Sequence, residues 1–552
     1  MCGIWSYVKI TNNNKKCLLE RDMFDMFMKI KHRGPDSTIF ENFSNLYIGF
    51  HRLAIMDPTF HSNQPYILFD DETDRTIIFL CNGEIYNYKE LIMNYNLDIY
   101  SNSDCLTIPK LYIKYGIEKF RTLFDTEIKG EFAFTLFEFD NLKKLNNIVY
   151  GRDMVGIRPL YTSESDNGIF FCSEIKGVEH GNIREVNPGT INSISFDGIG
   201  NINHNNIYNF SHIYDIFVPT NRICEVNEYS TRIKKSVINS IKRRLFSDRP
   251  IAFLLSGGVD SSLVASISAR LLGSTSKIRT FCCGMEGGTD LIYARKVANH
   301  IGSSHTEVIF TPEEAINVVR DVIYTTETWD TTTIRASVGQ YLVSKYISEN
   351  TDAKVLLVGE GPDEVCSSYL FNYYAPSSDD LHKTAIEYVK NIHLYDCRRV
   401  DRCSSRWGLE CRVPLLDPEF IKEYWTIEPS LRMPQYGGIE KFILRNSFRD
   451  DNLLPEDVLF RKKEAFSDGI SKKTKSWFEI LNEYITTLVA AEDTSSEPSV
   501  EAYYYKKVFK EFFGDKNISI IPNYWQPKWI DKDGVVPKNY IDPSARILKV
   551  YN

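Results

Sequence analysis

Apolar residues in the first third of the chain recur at the two-residue spacing of β-strands. Within 131–139, Phe132 and Phe134 fall on one face, and Phe137 and Phe139 fall on the other. A strand that is apolar on both faces belongs in the inner layers of a domain. The same kind of pattern predicts further strands at 76–81, 147–151 and 169–172.

The C-terminal part alternates between short apolar runs and stretches with helical spacing. Ile233, Val237, Ile241 and Leu245 recur at the spacing of one helix face. Apolar runs that predict strands follow at 251–255, 278–284 and 355–358. Alternating strands and helices predict a doubly wound parallel sheet with additional helices, whose ligands bind at the carboxyl ends of the strands.

The two patterns imply two domains of different class, α+β followed by α/β. A chain of 552 residues is too long for one ordinary core. Residues 198–209 are rich in asparagine and weakly periodic, which predicts a surface loop near the domain boundary. We therefore expect one domain at 2–210 and a second at 225–552.

Composition narrows the classes of partner. The apolar content of 43% is that of a soluble globular protein, and the net charge of -8 without a Lys/Arg run argues against a nucleic-acid surface. Twelve cysteines without metal-ligand spacing suggest reduced, buried thiols. There is no membrane-length apolar run and no signal peptide, so we expect a cytosolic protein that acts on small molecules, with a homodimer possible.

A glycine-rich turn follows the 251–255 strand. It reads Ser256-Gly257-Gly258-Val259-Asp260-Ser261-Ser262 and leads into residues with helical spacing. Such a turn points backbone N–H groups and a helix N-terminus at phosphate, although Gly-Gly alone is also an ordinary turn. The lysine of a Walker loop is absent, whereas Asp260 is suited to Mg²⁺. The segment resembles the pyrophosphate loop of ATP pyrophosphatases.

A second cluster ends the 355–358 strand. Its sequence is Gly359-Glu360-Gly361-Pro362-Asp363-Glu364. Three carboxylates near a triphosphate are costly unless cations lie between them, so the cluster indicates a metal site or, alternatively, a solvated acidic loop.

The chain begins Met1-Cys2-Gly3, so removal of the initiator methionine would leave a thiol and an α-amine on one residue. An α-amine with a pKa of about 7.7–8 can take the thiol proton without a histidine. The N-terminal part resembles the class II glutamine amidotransferase domain, an N-terminal-nucleophile hydrolase with an αββα sandwich. The resemblance rests on His32-Arg33-Gly34-Pro35-Asp36, His51-Arg52-Leu53-Ala54-Ile55, Asn82-Gly83-Glu84-Ile85-Tyr86-Asn87, Ser103-Asp104 and Gly151-Arg152-Asp153.

That resemblance implies a role for each matched residue. Cys2 would attack the glutamine amide, while the Asn82 side chain and the Gly83 N–H would stabilise the oxyanion. Arg52 would offer a bidentate fork to the substrate α-carboxylate. The remaining glutamine-binding residues would be Leu53, Ala54, Ile55, Met56, Glu84 and Asp104.

Further stretches extend the match over almost the whole chain. They resemble the glutamine-dependent asparagine synthetases, most closely the eukaryotic type, at 327–337, 410–417, 463–469, 524–529 and 542–546. The resemblance implies ATP as a substrate, Mg²⁺ on Asp260 and Asp363, and Glu360 acting at the acyl-adenylate. Thr332, Thr333, Arg335 and Lys463 would lie on the aspartate and pyrophosphate side. The other ATP-binding residues would be Leu255, Ser256, Gly257, Gly258, Ser261, Ser262, Cys283, Val358 and Gly359.

Some positions depart from the family pattern. Val358 and Pro362 stand where serine is usual, and Pro362 also lacks an N–H group.

The function that the resemblance implies is a carbon–nitrogen ligase that makes asparagine from aspartate, glutamine and ATP. One alternative is an amide-forming ligase of the β-lactam synthetase type, which has no use for a glutaminase. Another is a non-catalytic descendant that acts as a binding protein.

Overall fold

The computed structural model describes residues 1–10, 18–165, 167–179, 181–197, 202–215, 226–273, 277–472 and 474–529. The chain divides into two compact units. The first comprises Met1–His212 with the returning segments Ser247–Arg249 and Ser405–Glu410, and the second comprises the remainder. This confirms the predicted architecture of two domains of different class.

The first unit contains two six-stranded antiparallel sheets. Its strands in chain order are β1 Gly3–Lys9, β2 Ser37–Phe43, β3 Leu46–Arg52, β4 Tyr66–Asp70, β5 Arg75–Ile85, β6 Gly130–Phe139, β7 Leu145–Arg152, β8 Tyr161–Ser165, β9 Gly168–Cys172, β10 Asn182–Glu185, β11 Thr190–Phe196 and β12 Ile202–Asn209. One sheet has the order β10-β8-β9-β1-β3-β2, and the other has the order β12-β11-β7-β6-β5-β4. The four strands predicted in this part are confirmed.

The sheets stack on each other, with helices on the outside. Strand β6 shows why: Ala133 and Phe137 pack in the core between the sheets, whereas Phe132 and Phe134 pack on the opposite face. That opposite face is covered by two helices. The helices of this unit are α1 Glu20–Met28, α2 Tyr88–Tyr95 and α3 Thr107–Thr126. On the other sheet, the Phe27 ring of α1 stacks on His51 of β3 at 3.8 Å, which completes an αββα sandwich.

The prediction of a surface loop at 198–209 was wrong for its larger part. Residues Ile202–Asn209 form β12, which pairs antiparallel with β11 from Thr190↔Asn209 onward. An edge strand takes its stability from backbone pairing on one side and needs no apolar face, so polar asparagines are compatible with it. Residues 198–201, and 216–225 of the expected domain boundary, lie outside the described residues.

The second unit is built on one sheet of five strands in the order β15-β14-β13-β16-β17. These strands are β13 Ile251–Leu254, β14 Arg279–Gly284, β15 Ser304–Ile309, β16 Val355–Leu357 and β17 Glu410–Arg412. Strand β13 pairs in parallel with β14 and β16, and β14 pairs in parallel with β15. The three strands predicted here are confirmed, as is the parallel sheet.

Helices connect and cover this sheet. From Val226 onward they are α4 Val226–Arg244, α5 Val259–Leu272, α6 Thr289–Ile301, α7 Pro312–Asn317, α8 Val319–Thr326, α9 Thr331–Asn350, α10 Pro362–Val365, α11 Ser378–Asn391, α12 Asp396–Ser405, α13 Pro418–Trp425, α14 Pro429–Arg432, α15 Phe442–Asn446, α16 Glu456–Leu459, α17 Phe466–Gly469, α18 Trp477–Leu488 and α19 Val500–Phe513. The core residues Phe253, Leu263 and Leu356 are almost completely buried. Parallel strands covered on both faces leave their carboxyl ends as the accessible place for a ligand.

Candidate active sites

Cys2 directly precedes β1, which pairs with β3 at Gly3↔His51. This pairing places the thiol against the residues that follow β3, and the Cys2 thiol donates to the Leu53 carbonyl oxygen at 3.7 Å. Arg33 Nε donates to the Cys2 carbonyl oxygen at 2.9 Å. The thiol is therefore fixed from two sides by its own backbone and by Leu53.

Met1 is present in this structure and changes the chemistry of Cys2. Burial lowers the pKa of the Met1 α-amine to about 6 and raises the pKa of the Cys2 thiol to about 11. The Met1 side chain is 1% exposed, and its sulfur lies 2.7 Å from Arg158 Nη1. With Met1 in place, Cys2 is protonated at neutral pH and has no α-amine of its own.

Asn82 and Gly83 lie near the end of β5. The Asn82 side chain is fully buried, and neither its Oδ1 nor its Nδ2 has a hydrogen-bond partner among the described residues. A Cβ on Gly83 would lie 2.1 Å from the Glu131 carbonyl oxygen, so glycine is required there. A buried amide without a partner is costly unless a ligand completes it.

Arg52, at the end of β3, is enclosed by the loop that follows. Its Nη1 donates to Thr59 O at 2.7 Å and to Asn63 Oδ1 at 2.8 Å. Its Nη2 donates to Met56 O at 3.2 Å and to Asp57 O at 2.5 Å. The four terminal N–H groups are thus used within the loop, which is a different arrangement from a fork that is open to a carboxylate.

The other glutamine-binding residues predicted for this unit are buried, and hydrogen bonds connect two of them to other segments. Asp104 Oδ2 accepts the Ile85 N–H at 2.5 Å, which joins Asp104 to the end of β5. Ala54 N–H donates to Asp36 Oδ2 at 2.8 Å. The segment Leu53, Ala54, Ile55 and Met56 is buried, as is Glu84.

Sequence reasoning missed Gln64. Its Oε1 accepts the Cys81 N–H at 2.6 Å, and its Nε2 donates to the Cys81 carbonyl oxygen at 3.1 Å. This double hydrogen bond fixes the backbone one residue before Asn82. This contact between a side-chain amide and strand backbone is visible only in the structure. No local sequence pattern around Gln64 indicates it.

In the second unit, the glycine-rich turn lies between β13 and α5, as predicted. Gly257 has φ 74°, and a Cβ there would lie 2.4 Å from Tyr293 Cβ, so a larger residue does not fit. Ser261 Oγ accepts the Ser256 N–H at 3.1 Å, and Ser256 Oγ accepts the Gly258 N–H at 3.3 Å. The turn is preorganised by its own serines.

This turn borders a cavity of about 190 Å³ at the carboxyl ends of the strands. Most of the predicted residues line it: Leu255, Ser256, Gly258, Asp260, Ser261, Cys283, Thr332, Gly359, Glu360, Asp363 and Lys463. Gly257, Ser262, Val358, Thr333 and Arg335 are not among its lining residues. Val358 is buried in the sheet, and its N–H donates to Arg412 O at 3.1 Å.

Two lysines hold the carboxylates of this cavity. Lys441 Nζ lies 2.5 Å from Asp260 Oδ2 and 2.6 Å from Asp363 Oδ1, and Lys463 donates to Asp363 Oδ2. Burial alone would raise the pKa of Asp363, but the two ammonium charges outweigh it and hold that pKa well below its ordinary value. Asp260 Oδ1 is buried without a partner among the described residues, so the pair retains a free acceptor.

Glu360 faces Arg399 across the same cavity. Arg399 Nη2 lies 3.6 Å from Glu360 Oε1 and 2.9 Å from Asp396 Oδ1. Burial raises the pKa of Glu360, and the Arg399 charge opposes that shift. A Cβ on Gly359 would lie 2.4 Å from the Ser261 backbone nitrogen, so glycine permits the acidic strand end to approach the glycine-rich turn.

The Arg335 side chain lies outside the cavity lining and contacts Glu501 instead. Its Nε lies 2.8 Å from Glu501 Oε1 and 2.9 Å from Glu501 Oε2, and its guanidinium stacks 4.3 Å from the Phe478 ring centroid. Both Arg335 and Glu501 are buried. Arg335 therefore joins α9 to α19.

Comparison with known proteins places these sites in a family. A family model described as a glutamine amidotransferase domain matches residues 1–221, and one described as asparagine synthase matches 232–384 and 373–529. The glutamine-hydrolyzing asparagine synthetase of Gallus gallus is 38% identical over 586 residues, covering 100% of this chain and 99% of the relative. The proteins of that name from Rattus norvegicus and Homo sapiens are 38% and 37% identical, with the same coverage.

The two matches and the fold define the class: a glutamine amidotransferase domain joined to a synthetase domain with a parallel sheet. The chain belongs to the asparagine synthetase family, a family of ligases. A helix able to span a membrane would need a length and apolar character that none of the helices in the described residues has.

Proposed function

We propose that this protein synthesises L-asparagine from L-aspartate, using ammonia released from L-glutamine and energy from ATP. The β-carboxylate of aspartate attacks the α-phosphorus of ATP, which gives β-aspartyl-AMP and diphosphate. Ammonia then displaces AMP and loses a proton as the amide forms. The observation that carries this proposal is the full-length likeness to glutamine-hydrolyzing asparagine synthetases.

Residues 2–210 act as the glutaminase. Once Met1 is removed, the Cys2 α-amine takes the thiol proton and the thiolate attacks the glutamine side-chain amide. The unpartnered Asn82 amide and the Gly83 N–H receive the oxyanion. Ammonia leaves, and water cleaves the thioester to give L-glutamate.

Glutamine is held by the loop after β3 and by the end of β5. Arg52 contributes positive charge and supports the loop from Met56 to Asn63, since its terminal N–H groups are already occupied. Leu53, Ala54, Ile55 and Met56 provide the adjoining backbone, and Asp104 and the segment from Asn82 to Glu84 take the substrate α-amine.

Residues 225–552 carry the synthetase reaction. The turn from Ser256 to Ser262 binds the phosphates of ATP, while Leu255, Cys283 and Gly359 surround the nucleotide. Val358 contributes to ATP binding from its buried position next to Gly359. Lys463 offsets the charge of diphosphate. Thr332 and Thr333 lie on the aspartate side, and Arg335 supports them from its buried pair with Glu501.

Asp260 and Asp363 fit Mg²⁺. Carboxylate oxygens are its preferred protein ligands, and Asp260 Oδ1 is a buried acceptor that lacks a partner among the described residues. Bound Mg²⁺ would neutralise charge on the phosphates. Glu360 takes the proton that ammonia loses when it attacks the adenylate, since its buried carboxylate has a raised pKa.

The two alternatives are less well supported. A β-lactam-forming ligase has no need of an intact glutaminase site, and a binding protein has no need of Cys2, Asp260 and Glu360. We further propose a cytosolic enzyme whose partners are small molecules, neither nucleic acid nor membrane, with a homodimer possible. The free state of all ten described cysteines supports a reducing compartment.

Product analysis tests the proposal. Wild-type protein supplied with aspartate, ATP, Mg²⁺ and glutamine should form asparagine, AMP, diphosphate and glutamate in equal amounts. Cys2→Ala should lose synthesis from glutamine and retain synthesis from ammonium, whereas the matched Cys172→Ala, in β9, should retain both. Loss of both activities in a folded Cys2→Ala protein would overturn the division into two sites.

A further inference from the structure

A second cavity adjoins the nucleotide cavity in the second unit. The two share Thr332, Tyr369 and Asp396 as lining residues. The rest of the second cavity includes Glu364, Tyr388 and Trp525. A substrate that reacts with the α-phosphorus of ATP could therefore extend from one cavity into the other.

The second cavity is acidic and aromatic. Glu364 is 3% exposed, and its Oε2 has no hydrogen-bond partner among the described residues, while its Oε1 accepts the Tyr369 hydroxyl. The Trp525 ring centroid lies 5.1 Å from that of Tyr369 and 5.9 Å from that of Tyr388. A buried carboxylate beside several aromatic rings suits an organic ammonium group.

Trp525 belongs to the segment that follows α19, far along the chain from the rest of the cavity. Hydrogen bonds at Asn523, Trp525 and Gln526 join this segment to other parts of the second unit. Asp330 Oδ1 accepts the Trp525 N–H at 2.7 Å, the Tyr388 hydroxyl donates to Gln526 O at 3.2 Å, and the Tyr395 hydroxyl donates to Asn523 Oδ1 at 2.9 Å.

Asp330 connects this segment to the opposite wall. Its Oδ2 accepts the Thr333 N–H at 2.8 Å and the Thr333 hydroxyl at 2.6 Å at the start of α9. One buried carboxylate therefore sets the positions of Trp525 and of the threonines that line the cavity. Such an arrangement keeps the width of the cavity constant.

We propose that residues 523–526 form a wall of the subsite for the ammonium end of the acceptor amino acid, with Trp525 as a residue that determines acceptor affinity. The inference rests on the proposed function, since that function supplies an acceptor with an α-ammonium group. The Trp525 ring contacts the substrate ammonium together with Tyr369 and Tyr388, and Glu364 Oε2, which has no partner among the described residues, accepts a hydrogen bond from it. Asp330 is a positioning residue that holds the wall.

The test uses ammonium chloride as nitrogen source, so that the glutaminase is bypassed. Initial rates of diphosphate release give KM for aspartate and KM for ATP in wild type, Trp525→Leu and Trp525→Phe. Succinate, which is aspartate without its ammonium group, serves as a competitive inhibitor. The matched control is Trp529→Leu, because Trp529 lies in the same segment and contacts Phe371 outside the cavity lining.

For Trp525→Leu we expect KM for aspartate to rise about tenfold, as a lost cation–π contact predicts. KM for ATP and the succinate inhibition constant should change by less than about twofold, and Trp525→Phe should recover most of the loss because it restores a ring. An aspartate KM that rises no more than in Trp529→Leu, or a succinate constant that weakens in parallel, would overturn the inference. Absence of aspartate-dependent diphosphate release in wild type would overturn the proposed function as well, so the two failures are distinct.

Discussion

The Lys441 ammonium group lies 2.6 Å from Asp363 Oδ1, and the same group also contacts Asp260. The Lys441 side chain is 1% exposed, so this contact lies in a low-dielectric setting. Removing one partner of a buried ion pair leaves an uncompensated charge. Here it would leave two neighbouring carboxylates, with Lys463 paired to one of them.

Lys441→Met should therefore destabilise the protein by about 3–5 kcal/mol in buffer without divalent cations. Mg²⁺ should restore part of that loss, because it can replace the missing charge between Asp260 and Asp363. Urea unfolding with chelator and with Mg²⁺ measures both effects. Lys475→Met, which removes a surface pair with Glu483, should cost less than about 1 kcal/mol. Equal stability of Lys441→Met and wild type in chelator would contradict the role given to Lys441.

The sequence predicts those parts of the molecule that depend on local patterns. Strand β6 follows from alternating apolar residues, and the turn from Ser256 to Ser262 follows from glycines between a strand and a helix. In both cases the residues that determine the structure are neighbours in the chain. Strand β12 was missed because it is stabilised by backbone pairing with β11. Backbone pairing does not produce a periodic pattern of apolar residues.

Sequence reasoning did not find the contacts between side chains that lie far apart in the chain. Lys441 contacts Asp260 across 181 residues, and Arg335 contacts Glu501 across 166. Gln64 pairs with backbone on a neighbouring strand. Such partners are brought together by the tertiary fold, so a motif can name Asp260 or Arg335 without indicating what neutralises its charge.

Retention of Met1 should suppress the reactivity of Cys2. Burial raises the pKa of the Cys2 thiol to about 11 in the Met1-containing chain, and only the thiolate is nucleophilic. Protein produced while methionine aminopeptidase is inhibited should alkylate at Cys2 at least about 10²-fold more slowly than processed protein. Residue-resolved mass spectrometry after iodoacetamide treatment measures the rates, with buried Cys105 as internal reference. Equal rates at Cys2 in the two forms would contradict the prediction.

His51 should make the first unit less stable at mildly acidic pH. Its neutral ring is matched to its surroundings: the two nitrogens lie 3.0 Å from Thr38 Oγ1 and 3.2 Å from Phe27 O. Burial lowers the pKa of His51 from 6.5 to about 4. The unfolded chain therefore binds the proton first as pH falls, so the stabilisation is complete above the unfolded pKa and is lost between the two values.

The expected loss in the free energy of unfolding is about 2 kcal/mol between about pH 7.5 and about pH 5. His51→Gln should flatten this part of the pH profile in urea unfolding, since glutamine does not titrate. His61→Gln, a change at an exposed histidine of the same unit, should leave the profile as it is in wild type. A wild-type slope that persists in His51→Gln would assign the effect to other groups.

Glu360 and Asp260 line the same cavity. We expect neutral substitutions at the two positions to impair different steps of the synthetase reaction. Glu360 lies 3.6 Å from Arg399 and does not contact Lys441 or Lys463 among the ion pairs of the described residues, whereas Asp260 is held by Lys441. Glu360→Gln keeps the size of the side chain and removes the base that accepts the proton from ammonia. Asparagine synthesis should fall by at least about 10²-fold, the usual scale for a lost proton-transfer group, while ATP still binds.

Asp260→Asn removes a proposed Mg²⁺ ligand, so ATP binding and diphosphate release should weaken together. Isothermal titration with Mg²⁺ and ATP, together with asparagine formed per diphosphate released, separates the two variants. Glu360→Gln should give near-wild-type ATP affinity with a low ratio of asparagine to diphosphate, because the adenylate forms and is then lost to water. Asp260→Asn should give weak ATP affinity with an unchanged ratio of asparagine to diphosphate.

Glutamine hydrolysis at Cys2 provides the folding control in both variants. Near-normal asparagine synthesis by Glu360→Gln would mean that this carboxylate only balances the charge of Arg399, and its role as the base would have to be withdrawn.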